Sequence, residues 1–231
     1  MPRVGTKNHY LQEYVDGRAC AAVFMADSQD ARLIGVTEQL VGETWLNAKP
    51  FHYCGSVGPI AISKSLRVGL ETLGNQIVRA TSVRGVFGVD CVLRDGELWP
   101  IEINPRYTAS VEVLELALNI SVLAMHRRVF EPAAEFVRPS LVVSASPVVG
   151  KAIVFARLPI RFPEEGPWLD ALQPALEPFT VPVFADIPFP GETIAKGQPI
   201  LTVFASGASV GATILRLKGR AEKLEKTLYG Y

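Results

Sequence analysis

The 231 residues carry 23 Lys and Arg against 23 Asp and Glu, with 48% hydrophobic and 20% charged residues. That balance gives one large or two small domains with ample apolar material for a core, and points to neither a nucleic-acid nor an acidic-membrane partner. No basic-then-apolar signal follows Met1, no apolar run reaches membrane-span length, and Cys20, Cys54 and Cys91 are widely spaced and odd in number, so a cytoplasmic, reducing setting is expected.

In chain order, residues 10–18 read as an edge strand ending in an Asp16-Gly17 turn. Residues 19–26 and 31–40 form a strand pair closed by a polar turn at 27–30, and residues 46–58 form an aromatic-rich loop ending in Cys54-Gly55-Ser56-Val57-Gly58-Pro59. Leu66, Leu70, Leu73, Ile77 and Val78 recur at helical spacing and predict a helix over 63–80 packed on the sheet. A single helix is predicted over 110–130, with Val111, Leu114, Leu118, Val122 and Met125 as its core face and Glu112 and Glu115 solvated. Past residue 130 proline becomes frequent and β-branched runs replace the stripes, which predicts a domain boundary: 1–130 and 131–231. In the second part, 141–146 and 151–157 read as strands with 148–150 turning between them, and 211–229 as a closing helix. The fold class is α+β.

One stretch carries chemistry. Apolar residues alternate on both sides of Asp95-Gly96, a strong two-residue hairpin signal. Asp90 lies on the first strand; Glu102 and Asn104, two residues apart on the second, project together. The hairpin brings Asp90 opposite them, so two carboxylates and an amide oxygen share one surface. Such hard oxygen donors suit Mg²⁺, which takes one or two carboxylates and completes its shell with water and substrate phosphates.

The run from Asp90 to Glu102-Ile103-Asn104-Pro105-Arg106 resembles the metal-binding signature of the ATP-grasp superfamily, carboxylate–amine ligase type. The resemblance implies that Asp90, Glu102 and Asn104 hold Mg²⁺ (Mn²⁺ as an alternative) against ATP phosphates, and that Arg106 is a catalytic residue near the transferred phosphate or the substrate. It also implies that Glu13, Tyr14 and Val15 meet adenine, because Tyr10 to Arg18 is similar to the family's adenine hinge. One departure is that the second Glu used for ribose falls at Ala19 or Cys20.

The implied architecture is an ATP-grasp carboxy-terminal lobe, an antiparallel sheet with packed helices. A small β-rich unit follows, because Asp186 to Ala205 resembles the barrel-sandwich pattern of biotinyl and lipoyl domains without their Met-Lys-Met. Over Gly55-Ser56-Val57-Gly58-Pro59 and the tail, the chain also resembles ATP-grasp proteins associated with tetrahydromethanopterin-linked one-carbon metabolism. The family's glycine-rich phosphate loop and ATP-binding lysines are expected from an amino-terminal lobe in cis or as a partner chain; self-association through the face that lobe would cover is a further option. Partners are then a nucleotide and a small carboxylate. A non-catalytic binding or assembly subunit derived from the same fold, or a phosphate-ester hydrolase on the same ligands, remains open.

Overall fold

The computed structural model describes residues 12–131, 147–173 and 177–230. Eight strands form one sheet in the order β5-β4-β1-β2-β3-β6-β10-β8, and every pairing along it is antiparallel. The strands are β1 (Arg18–Ala26), β2 (Ala31–Val41), β3 (Tyr53–Gly58), β4 (Gly85–Arg94), β5 (Glu97–Asn104), β6 (Val148–Phe155), β8 (Phe184–Ala185) and β10 (Pro199–Gly207). A separate pair joins β7 (Ile160–Arg161) to β9 (Thr193–Ile194). The continuously apolar run of β1, Cys20 through Ala26, marks a central strand, because both faces of the sheet are covered by helices.

On one face, α1 (Lys64–Thr81) packs Leu70, Ile77 and Val78 against Phe24 and Phe87, whose rings stack at 5.0 Å. Farther along that face, α4 (Val210–Tyr229) lays Leu217, Ala221 and Leu224 on Val57, Ala152 and Val203. On the opposite face, α2 (Ala109–Leu118) and α3 (Val122–Val129) cover Val23, Met25, Ile34 and Val86. Gly88 lets α2 approach: a Cβ there would stand 2.9 Å from the Thr108 methyl.

Several sequence expectations change here. The segment read as one helix over 110–130 is two helices bent by 107°. Asn119 adopts a left-handed conformation (φ 55°) that ends α2, and the Ser121 side chain caps α3. The aromatic loop ends in a true strand, β3, whose Ser56 and Gly58 face α2 while Cys54 and Val57 enter the other core. Residues 148–150 do not turn; they begin β6, all three paired with β10 and Val149 and Gly150 also with β3. The strands after residue 147 extend the main sheet instead of closing a separate barrel-sandwich unit, and one core draws Leu40, Leu46 and Val57 together with Val154, Phe162 and Val203. The boundary expected at residue 130 therefore coincides with no break in the sheet. The strand predicted at 141–146 lies outside the described residues. Among the described residues, no single helix is long and apolar enough to cross a membrane.

Candidate functional site

The Asp95-Gly96 hairpin forms as expected. Both residues take positive φ, 52° and 81°, the conformation of a two-residue turn that matches the strands' twist. Its register places Asp90 directly across from Glu102 and Gly88 across from Asn104. A bulge beside Asp90 lets Cys91 pair with Pro100, so the strand carries Pro100 without breaking the register that follows.

Asp90 is half-buried and accepts two side-chain hydrogen bonds, from Gln39 Nε2 at 3.0 Å and Asn104 Nδ2 at 3.1 Å. Burial pushes its carboxyl above the ordinary range, and the facing Glu102 carboxylate pushes the same way, while Gln39, Asn104 and Arg106 pull against both. Glu102 is exposed, and Asn104 is 7% exposed. The Arg106 guanidinium lies 3.4 Å from Asn104 Oδ1 and 3.3 Å from the Tyr107 carbonyl oxygen.

A half-buried carboxylate whose ionised form is disfavoured by burial and by the facing Glu102, with an amide oxygen beside it, belongs to a donor set that one divalent cation fits. Among the described residues no group of three or more His, Cys, Asp or Glu converges, so the third side-chain donor is Asn104. The Asn104 oxygen that now accepts from Arg106 would turn to the cation.

The face that holds this cluster continues as a polar strip across the sheet. Gln39 reaches Asp90 from β2; Ser56, opposite Gln39 on β3, meets Tyr53 Oη at 2.8 Å and Ser110 Oγ at 3.1 Å. Lys151, opposite Ser56 on β6, ion-pairs with Glu112 of α2 at 2.6 Å. Burial holds the Tyr53 hydroxyl neutral up to about 12, with the charges of Glu112 and Asp90 adding to the effect. Glu112 and Glu115, read as solvated, are both engaged: Glu115 accepts from Tyr107 Oη and from the Val122 backbone N–H, each at 2.6 Å. That double contact pins the corner between α2 and α3 and drives the Tyr107 pKa upward, with burial as the larger cause.

Sequence reasoning missed Gln39, Ser56, Tyr53 and Lys151, because the strip exists only once β2, β3 and β6 lie side by side. Lys151 inside an otherwise apolar strand was the one available signal. The three adenine-hinge candidates are not joined to this strip. Glu13, Tyr14 and Val15 lie in irregular chain rather than at a strand end, Glu13 and Tyr14 are exposed (Tyr14 74%), and among the described residues no hydrogen bond links them to Asp90, Glu102 or Asn104. They lead into β1 at Arg18, which pairs with Leu93 toward the hairpin turn, whereas Asp90 pairs with Ala21.

Residues 3–110 match the model of the ATP-grasp domain. The arginine-specific large chain of carbamoyl phosphate synthase from Bacillus subtilis (strain 168) is 21% identical over 124 residues, 54% of this chain and 12% of its own length. Among solved structures, L-amino acid ligase from Bacillus licheniformis superposes with a TM-score of 0.67 at 13% identity, over 90% of this chain and 53% of that one. Phosphoribosylglycinamide synthetase from Anaerococcus prevotii gives 0.63 at 12% identity over 91% and 53%. Biotin carboxylase in its β,γ-ATP complex from Campylobacter jejuni gives 0.62 at 12% over 89% and 45%. At these identities the superpositions establish the fold; the chain spans about half the length of these structures and far less of the curated relative.

Proposed function

We propose that this chain, whose residues 3–110 match the ATP-grasp domain model and whose fold is similar to that of L-amino acid ligase, has an ATP- and Mg²⁺-dependent ligase activity that converts a carboxylate to an acyl phosphate for attack by an amine or similar nucleophile. The observation that carries this reading is the Asp90–Glu102 pair, two facing carboxylates flanked by Asn104 at one end of a polar strip.

Asp90, Glu102 and Asn104 would hold the metal, which when bound neutralises the β- and γ-phosphates and the charge that develops on transfer. Gln39 fixes the Asp90 carboxylate through its amide hydrogen bond, so that the group is oriented before any ligand arrives. Arg106, exposed beside Asn104, would donate hydrogen bonds to a phosphoryl oxygen, and its charge favours the ionised form of Asp90. Among the described residues no hydrogen bond takes up the backbone of Glu13 through Val15, which would meet adenine's edge.

Hydroxylamine supplies the test. The chain is incubated with ATP, Mg²⁺ and a panel of small carboxylates, and trapped acyl phosphate is read as hydroxamate. Hydroxamate that needs Mg²⁺, and falls about a hundredfold in Glu102→Gln, is the expected result. ADP release with no hydroxamate from any carboxylate would remove the acyl phosphate from the account.

A further inference from the structure

We propose that the Lys151 ammonium receives the anionic end of the substrate, the carboxylate or the acyl phosphate made from it, and that Glu112 occupies that position until the substrate displaces it. The proposal rests on the ligase reading above and adds the residue that would select the substrate's charge.

Lys151 lies on a β6 segment whose neighbours Val149, Ala152 and Val154 are all buried, and the residue itself is 9% exposed. A lone lysine at such a position is costly to desolvate, and an apolar residue of similar size would commonly serve stability as well or better. The pair it forms is lopsided. The Lys151 side chain retains 11% of its accessibility and Glu112 retains 41%, so the fixed member is the cation and the member able to leave is the carboxylate.

Glu112 also has somewhere to go. It lines a surface cleft of about 500 Å³ with Tyr107, Leu116, Phe179 and two further carboxylates, Glu115 and Glu177, a size that suits a small metabolite. Lys151 lies behind Glu112 and not on the cleft wall, so a carboxylate or phosphate would meet it only by taking the place of the Glu112 carboxylate, with the same chemistry that Glu112 offers now.

Position relative to the metal-site candidates points the same way. Lys151 shares their sheet face through an unbroken relay: it pairs with Ser56, Ser56 pairs with Gln39, and Gln39 donates to Asp90. At about 4.8 Å per strand, β4 and β6 stand about 19 Å apart, with Ser56 buried between them under Ser110 of α2 and Gln39 half-buried nearer Asp90. Tyr53, hydrogen-bonded to Ser56 and acted on by the charges of both Glu112 and Asp90, floors that interval with a neutral hydroxyl.

The experiment is a calorimetric titration of the chain with acetyl phosphate, and with acetate and inorganic phosphate as separate arms, on wild type, Lys151→Met and Glu112→Gln. Acetyl phosphate should bind at least tenfold more weakly to Lys151→Met. It should bind at least threefold more tightly to Glu112→Gln, where the competing charge is gone; a merely structural ion pair would not produce that gain. Lys151-dependent binding of acetate assigns the residue to the carboxylate, and Lys151-dependent binding of inorganic phosphate assigns it to the acyl phosphate. Should Lys151→Met fail to fold, Glu112→Gln decides alone: equal or weaker binding overturns the proposal. Mg·ATP titrated into the wild type separates the two layers. A chain that binds Mg·ATP but no acetyl phosphate overturns this proposal only, and one that binds neither overturns the ligase reading with it.

Discussion

The two charged clusters on this sheet face are built in opposite ways. At the β4–β5 edge, Asp90 and Asn104 come from one hairpin, with Glu102 exposed and the carboxylates left facing each other. Toward the middle of the sheet, Lys151 and Glu112 come from a strand and a helix 39 residues apart and close on each other at 2.6 Å. In the proposed reading a cation would relieve the facing carboxylates of the first cluster, whereas the second has its charge paired already and would have to be opened. An open site should lose function and little stability when cut; a closed one should lose stability when either partner is cut, and ligand binding only when Lys151 is.

That contrast is most sharply broken by removing one carboxylate from each. Glu112→Ala leaves a largely buried ammonium unpaired and should lower stability by about 2 kcal/mol, whereas Glu102→Ala at an exposed position should stay within about 0.5 kcal/mol. Urea unfolding of both variants reads the difference, and equal losses would erase the distinction.

Next comes alkaline unfolding. Tyr53 keeps its proton up to about 12 in the folded chain, against an ordinary value of 10.0. The unfolded chain therefore ionises first, and folded stability drains away between those two values, by about 1.4 kcal/mol per pH unit at most. Tyr53→Phe should flatten that part of the stability–pH curve; an unchanged slope would show that Tyr53 is not held neutral.

A smaller effect belongs to Asp90. Its folded pKa is raised, so the metal-free protein loses stability as pH rises from the ordinary carboxylate value through the raised one. Taking away the Glu102 charge should lower the Asp90 pKa and reduce that loss, read from the carboxyl carbon shift in an NMR titration. A pKa that stays put would mean the carboxylates do not sense each other.

Least affected should be the cysteines. Burial raises the Cys20 thiol to about 11 and Cys91 to about 12, and Cys54 is raised too, so all three should resist a thiol reagent at pH 8 until the chain unfolds. Rapid labelling of the native protein would contradict the packing of β1 against β4.

How much was legible in the sequence follows the same division. The hairpin is encoded locally: an Asp-Gly turn, alternation on each side and three oxygen donors within fifteen residues fix which groups meet. The pair at Lys151 depends on β3 lying beside β6, and β3 was hidden because Tyr53-Cys54-Gly55-Ser56-Val57-Gly58 carries two glycines and no clear alternation. Its strand character comes from neighbours on both sides, not from propensity. The helix break at Asn119 was likewise masked, since the apolar stripe runs on through Val122 and Met125 while only the left-handed residue ends α2. The merging of the carboxy-terminal strands into the main sheet is a matter of topology, which local pattern does not encode.

The central claim is that Asp90 and Glu102 form a metal–phosphate site, and melting temperature tests it most directly. Wild type and Glu102→Gln are heated with Mg²⁺, with ATP, and with both. A ligand that binds only the folded state at a hundred times its dissociation constant adds about 2.7 kcal/mol. The wild type should therefore melt several degrees higher with Mg²⁺ and ATP together, and Glu102→Gln should show no such rise. An equal rise in both proteins would place the nucleotide and its metal away from this pair and contradict the account.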